Sequence, residues 1–389
     1  MRVSKSRLLW GCGLTLAILT AAGVFVFNPL GLGPEPETVL SRAFFDTPVQ
    51  DLSQLELLVD GEEAFNEILE AIDGARSSIF VQIFIWKDDI IGRRIVSALK
   101  AAADRGVKVT VRKDVLGTFF EFGDMVKGKL SPVFTKGGLR GYENIDVDVD
   151  VFADTDHSKY FIVDERLAIF GGMNISEEYS SQWHDFMVLI RSRQWTTSFT
   201  DLVMKSLPWP NPSPFVVAVN DRRATEIRTA LIQMIDNAKE SLIIEHAYFS
   251  DGKVIDAVRR AAQRGISVDI VLPKKPDTHG YANMATINRL LDSGPETDLK
   301  IFLYPHMSHA KVVLSDGEIA AVGSANLTPR SMRTSREVTL FVHGSRDDPF
   351  LKKLRQRLQA DIDKSEPVMA PFKLGITNRV KGVVGKYVW

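Results

Sequence analysis

Two stretches of the chain hold residues whose types and spacing suit chemistry. His157 and Lys159 stand two residues apart in HSKYFIVDERLAIFGGMN, and 152 residues later His309 and Lys311 repeat the arrangement in HAKVVLSDGEIAAVGSAN. Each stretch runs through an aspartate, Asp164 or Asp316, to Gly-Gly or Gly-Ser and then to an asparagine, Asn174 or Asn326. A carboxylate follows each histidine by 28 residues: Asp185 after His157, and Glu337 after His309. A carboxylate on one ring nitrogen fixes the imidazole tautomer and stabilises the imidazolium, leaving the other nitrogen aimed at a substrate. The equal spacing predicts that each histidine pairs with the acid of its own repeat. One histidine on an apolar strand is ordinarily a satisfied buried polar group. The same set of residues present twice is a site.

The elements that must position these residues follow from periodicity. In an extended strand positions i and i+2 share a side, so His157 and Lys159 share a face while YFIV continues into a sheet. Asp164 falls where that strand turns back, and Asp316-Gly317 is a hairpin signal, so both aspartates are turn formers without chemistry. Upstream, Phe65, Ile68, Leu69 and Ile72 fall on one helical face, SSIFVQIFIW reads as a buried strand, and GRRIVSALKAAADRG is a second helix closed by Gly106. Helix and strand in alternation predict layered α/β with a largely parallel sheet. The order then recurs: GARSSIFVQ matches NAKESLIIE, and ADRGVKVTV matches AQRGISVDI. We read a duplication, with similar domains over 55–206 and 215–365 and a Pro-rich linker over 207–214. A linker over 28–54 precedes them, and a basic, aromatic tail over 366–389 follows.

Bulk composition excludes several classes. With 48 basic and 49 acidic side chains the net charge is −1, so no global positive field draws the chain to nucleic acid. The single cysteine excludes an internal disulfide and any cysteine metal cluster. At the N-terminus, three cations in MRVSKSR precede an uncharged stretch over 8–27. Twenty residues at ~1.5 Å each cover the ~30 Å hydrocarbon core. A cleaved signal peptide needs a shorter apolar run and a small-residue cleavage site, so we expect an uncleaved membrane anchor over 1–27. Cations ahead of the span, with Glu35 and Glu37 behind it, place the N-terminus inside and the catalytic body on the outer side.

Both motifs resemble the His-x-Lys-x4-Asp-x6-Gly-(Gly/Ser)-x-Asn signature of the phospholipase D superfamily, and the likeness extends from about Leu55 to Val342. The flanks FIWKDDIIGRRIVSALKAAADRGVKV and GSANLTPRSMRTSREVTLFV are similar to bacterial cardiolipin synthases. The resemblance implies two duplicated phospholipase D-like α-β-α sandwich domains packed as a pseudo-twofold monomer, behind one N-terminal transmembrane helix. It implies one histidine attacking phosphorus and the other protonating the leaving alcohol, with His157 as nucleophile and His309 as general acid. Lys159, Lys311, Asn174, Asn326, Ser324 and Gly172 would serve the phosphate oxygens, and no metal or other cofactor is needed. The implied partners are membrane phospholipids, phosphatidylglycerol first, and the bilayer itself, with no obligate protein partner. Alternatives within the superfamily are hydrolysis of phospholipid and cleavage of nucleic acid. Gly172 stands where the second repeat has Ser324, so one hydroxyl donor is missing from the first. His184 and His246 are candidates to line the pocket, whereas His279, His306 and His343 read as surface or loop residues.

Overall fold

Alternation of side chains along each strand divides the apolar residues between separate cores. In this computed structural model, residues 32–48, 51–126, 128–150, 155–294 and 297–388 are described. The predicted span over 8–27 lies outside them, and among the described residues no helix is long and apolar enough to cross a membrane. The first repeat contributes β1 (Leu55–Val59), β2 (Ser78–Ile83), β3 (Lys108–Asp114), β4 (Ile145–Asp150), β5 (Tyr160–Val163), β6 (Leu167–Gly171) and β7 (Phe186–Arg191). The second contributes β8 (Phe215–Asn220), β9 (Ser241–His246), β10 (Ser267–Pro273), β11 (Leu299–Tyr304), β12 (Lys311–Ser315), β13 (Ile319–Gly323) and β14 (Glu337–His343), with β15 (Glu366–Pro367) at its edge. The strand orders are the same, β1-β7-β6-β5-β2-β3-β4 and β8-β14-β13-β12-β9-β10-β11, which gives the duplication a three-dimensional form.

The sheets are mixed, which corrects the expectation of a largely parallel sheet. Only β2, β3 and β4, and their counterparts β9, β10 and β11, run parallel to one another. The other large-sheet pairings are antiparallel, and for β5–β6 and β12–β13 the tight turn allows no other arrangement. At the turns Asp164 and Glu165 take φ of 52° and 51°, and Asp316 and Gly317 take 56° and 71°, the left-handed pair that a two-residue hairpin requires. Asp164 also accepts the backbone N–H groups of Arg76, Ser77 and Ser78, and Asp316 those of Lys239, Glu240 and Ser241. Each motif hairpin is thereby pinned to the start of the neighbouring parallel strand. Although burial acts to raise it, these donors hold the Asp164 carboxyl at about 2.

The main helices are α1 (Asp60–Asp73), α2 (Ile90–Asp104), α3 (Arg193–Lys205), α4 (Ile227–Asp236), α5 (Gly252–Gln263), α6 (Gly280–Leu291), α7 (Pro329–Arg333), α8 (Pro349–Lys364) and α9 (Ile376–Val388). On β5, Phe161 and Val163 face the core under α1 and α2, while Tyr160 and Ile162 face the other way. That second face is shared. Ile162, Phe170 and Val188 of the first sheet form one cluster with Val312 and Leu340 of the second, closed by Phe199 of α3 and Leu354 of α8. Each such buried Phe or Leu contributes about 1.5–3 kcal/mol, so the repeats are bound into one body. The expected linker is not a free tether in its described part. Arg228 holds Glu35 at 2.6 Å, Thr225 N–H donates to the Pro34 carbonyl, and the Gln233 amide bonds Leu40, which docks this stretch on the second repeat.

Candidate active site

The two repeats meet along reciprocal backbone bridges, and these decide how the site is assembled. His157 N–H donates to the Arg336 carbonyl and Arg336 N–H to the Thr155 carbonyl, at 3.0 and 2.8 Å. By the same pattern His309 N–H donates to the His184 carbonyl and His184 N–H to the Met307 carbonyl, at 2.7 and 3.1 Å. Each histidine strand therefore lies beside the residue that immediately precedes the other repeat's acid. His157 Nδ1 is 3.1 and 3.2 Å from the two oxygens of Glu337, and His309 Nδ1 is 2.7 Å from Asp185 Oδ2. This corrects the pairing expected from spacing: each imidazole is held by the acid of the opposite repeat.

The glycine pairs follow from the difference between these acids. A Cβ at Gly172 would stand 2.5 Å from both carboxylate oxygens of Asp185, so any side chain there would displace the carboxylate. At the equivalent place Ser324 donates its hydroxyl to Glu337 at 2.6 Å and accepts the Val338 N–H. Gly172 and Ser324 were expected at the phosphate. Both instead serve carboxylates, and neither lines the cavity.

The small cavity between the repeats, about 80 Å³, is bordered by His157, His309, Asn174 and Asn326. At roughly 10–15 Å³ per water, it has room for a phosphate group but not for the rest of a phospholipid. His157 is the more open imidazole, its side chain 17% exposed against 5% for His309. Its Nδ1 faces Glu337, so that nitrogen carries the proton and Nε2 is the free base. Burial, then the Lys159 charge, lowers the His157 pKa, and burial and Lys311 carry His309 well below its ordinary value. Lys159 and Lys311 are fully buried behind the histidines, each bonded to the carbonyl of the histidine two residues earlier. Burial pushes them down to about 7 and about 8. Asp185 is pushed up to about 6 by burial, whereas Glu337, although burial acts to raise it, is held below the usual carboxylate range by His157, Lys159 and the Ser324 hydroxyl together.

The two asparagines are not equivalent. Asn174 is committed, accepting the Ile85 N–H and donating to the Tyr179 hydroxyl at 3.0 Å. Asn326 borders the cavity, and its buried Oδ1 accepts no hydrogen bond. Tyr179 Oη lies 3.5 Å from His309 Nε2. Tyr179, Tyr248, Asp277 and His279 also line the cavity, with Tyr248 bonded to Asp277 and stacked on His279 at 4.5 Å. The sequence places His279 on a surface or loop and does not single out Tyr179, Tyr248 or Asp277. For Tyr248, Asp277 and His279 the available signal was their place on loops after strand C-termini, where α/β sheets hold ligands.

His279 is thus at the cavity and His184 and His246 are not. His184 contacts Asp60 at 2.5 Å and Asp361 at 3.1 Å, with Arg357 Nη2 3.0 Å from the same ring. His184, Glu245 and Asp361 are the one group of metal-ligand types close together among the described residues. Arg357 already neutralises Asp361 at 3.0 Å, so the group reads as an interdomain ion cluster.

Two histidines with Nε2 atoms on one cavity, buried lysines behind them and a duplicated mixed sheet define a two-motif phosphodiester enzyme of the phospholipase D type. The family described as cardiolipin synthase, phospholipase D-like domain, matches residues 68–205 and 231–362. The chain belongs to that family. Similar curated proteins include major cardiolipin synthase ClsA of Bacillus subtilis, 29% identical over 353 residues that cover 80% of this chain and 69% of that protein. Cardiolipin synthase B of Salmonella typhi is 29% identical and covers 80% of each chain. Among solved structures, phosphatidylserine synthase of Haemophilus influenzae shares the fold, with a TM-score of 0.65 at 15% identity over 89% of this chain and 96% of that one.

Proposed function

We propose that the chain is a membrane-anchored phosphatidyltransferase that joins two phosphatidylglycerol molecules into cardiolipin and releases glycerol. The observation that carries this reading is the pair of crosswise-held histidines on one phosphate-sized cavity, in a chain whose relatives bear the cardiolipin synthase name. His157 Nε2 attacks phosphorus, the bond from phosphorus to the glycerol oxygen breaks, and His309 donates a proton to that oxygen. The hydroxyl of a second phosphatidylglycerol then attacks the phosphohistidine, His309 takes its proton, and the P–N bond breaks. Lys159, Lys311 and Asn326 offset charge gathering on the non-bridging oxygens. An anionic phosphate also favours the protonated forms of His309 and both lysines, opposing the effect of burial. The anchor over 8–27 holds the body at the outer face of the membrane that supplies both substrates.

The test incubates the full chain with phosphatidylglycerol, phosphatidylethanolamine and single-stranded DNA, in chelator, with products read by mass spectrometry. Cardiolipin with glycerol is the expected result. Phosphatidic acid or nucleotides in its place would show a hydrolase.

Activity is expected to be bell-shaped in pH. Protonation of Asp185 below about 6 releases the His309 imidazolium, and loss of the ammonium charges above about 7 and about 8 weakens phosphate binding. Bound phosphate stabilises those ammonium groups, so the alkaline limb of kcat lies at higher pH than that of kcat/KM. Steady-state kinetics on a soluble phosphodiester checks both limbs, and coincident alkaline limbs would remove the lysines from phosphate binding. Gly172→Ser is expected to displace Asp185 and lower turnover by about 100-fold. Ser324→Gly loses one bond to a charged acceptor, about 1.5 kcal/mol or roughly tenfold. Equal losses in the two variants would refute the packing reason for Gly172.

A further inference from the structure

Among its described side chains, the C-terminal helix is turned the wrong way round for a surface helix. Surface helices bury an apolar stripe and expose a polar face. On α9 the side against α6 carries Gly382, where a Cβ would stand 3.1 Å from the Tyr281 carbonyl oxygen. Lys381 Nζ lies 5.6 Å over the Tyr281 ring. Ile376, Val380 and Val383, spaced by four and three along one face, are left 83%, 56% and 61% exposed. Met369, just upstream, is exposed as well. After Glu366 the chain has no carboxylate side chain, while Lys373, Arg379, Lys381 and Lys386 all fall in this segment.

Its place in the fold connects this face to the chemistry. The helix packs on α6 and α7. Thr278 and His279, which lead into α6, and Arg330 and Ser331 of α7 all line the catalytic cavity. Arg333, at the end of α7, binds Glu35 at 3.3 Å, so the chain that follows the uncharged stretch over 8–27 docks beside the same short helix. The first repeat adds exposed apolar residues of its own. Phe120 lines the cavity, and Val126 and Leu130 follow on the same excursion.

We infer that α9 is an interfacial helix, with the stripe of Ile376, Val380 and Val383 seated in the headgroup region of an anionic phospholipid bilayer and the cavity mouth thereby set on the lipid surface. An exposed aliphatic stripe gains by entering the acyl boundary, and a cationic segment without carboxylates gains from anionic headgroups. The cavity takes only the phosphate, so the acyl chains of a substrate stay outside it, where this helix offers them an apolar border. This deepens the lipid reading above and rests on it only in the choice of surface.

The test uses the full chain with its sole cysteine replaced, Cys12→Ser, and an environment-sensitive dye on Val383→Cys. With phosphatidylglycerol vesicles the dye is expected to shift to the blue and to be quenched by bromines on the acyl chains, with weaker entry into phosphatidylcholine vesicles. In a separate variant, Val380→Asp with Val383→Asp, the apparent KM on phosphatidylglycerol vesicles should rise about tenfold or more, with turnover of a soluble phosphodiester unchanged. A dye that stays in water, or entry that ignores lipid charge, overturns the inference. So does a lipid-free blue shift that grows with protein concentration, because a second copy of the chain would then be covering the stripe. Dye depth needs no turnover, so this result and the cardiolipin assay can fail separately.

Discussion

Glu337→Gln is expected to abolish the first chemical step on an activated phosphodiester, whereas Asp185→Asn is expected to leave that step and block the second. The prediction follows from the crosswise bonds, Glu337 to His157 and Asp185 to His309. With bis(p-nitrophenyl) phosphate, nitrophenolate leaves without needing a proton, so the first step depends on the nucleophile alone. An amide at position 337 no longer fixes the proton on Nδ1, and by analogy with Asp→Asn in a Ser-His-Asp triad the rate should fall by about 10⁴. In Asp185→Asn the nucleophile keeps its acid, so stopped-flow absorbance should show a burst of one equivalent followed by a stall. Mass spectrometry of the stalled enzyme should find the phosphoryl group on His157. The reverse pattern, a burst in Glu337→Gln and none in Asp185→Asn, would restore pairing within each repeat.

His184→Ala is expected to cost about 3–5 kcal/mol, the usual price of removing one partner from a buried ion cluster. The ring sits among Asp60, Asp361 and Glu245, residues drawn from both repeats, and loss of its charge leaves Arg357 alone to balance them. Burial opposes the charged ring, yet Glu245, Asp361 and Asp60 together push its pKa up to about 10. A raised folded-state pKa gives stability that is fully present below the unfolded value of about 6.5 and is lost as pH rises through about 10. The difference in melting temperature between the native chain and His184→Ala should therefore be widest in mild acid and shrink on the alkaline side. A difference that stays constant with pH would assign the loss to packing instead of charge.

Much of this was legible in the sequence because it rests on short-range rules. The His-x-Lys spacing, the turn at Asp164, the Asp316-Gly317 hairpin and the recurrence of both depend on a period of two and on turn chemistry, and each lies in the structure where local reasoning put it. The acids were legible as residues but not as partners. Equal spacing is satisfied by either pairing, and the choice is made by two sheets packing face to face through Ile162, Phe170 and Leu340. Gly172 looked like a lost hydroxyl because a sequence records a missing side chain and not the carboxylate that excludes it. His184 looked like a pocket residue because it adjoins Asp185. Neighbours in an extended chain point to opposite sides, so one turns to His309 and the other to Asp60. Tyr248 and His279 sit on irregular loops, where no period marks what tertiary packing brings together.

The crosswise acids carry a consequence for descent. A single repeat has a histidine but no acid that reaches it, so an ancestral half-length polypeptide would gain activity only when two identical copies met about a twofold axis. Fusion of those copies in one gene makes the meeting independent of concentration. It also frees paired positions to drift apart, which identical subunits cannot do. The short aspartate beside a glycine and the long glutamate beside a serine are what such drift leaves. They are two different fittings of acid to neighbour, at least one of them settled after the copies had ceased to be the same sequence.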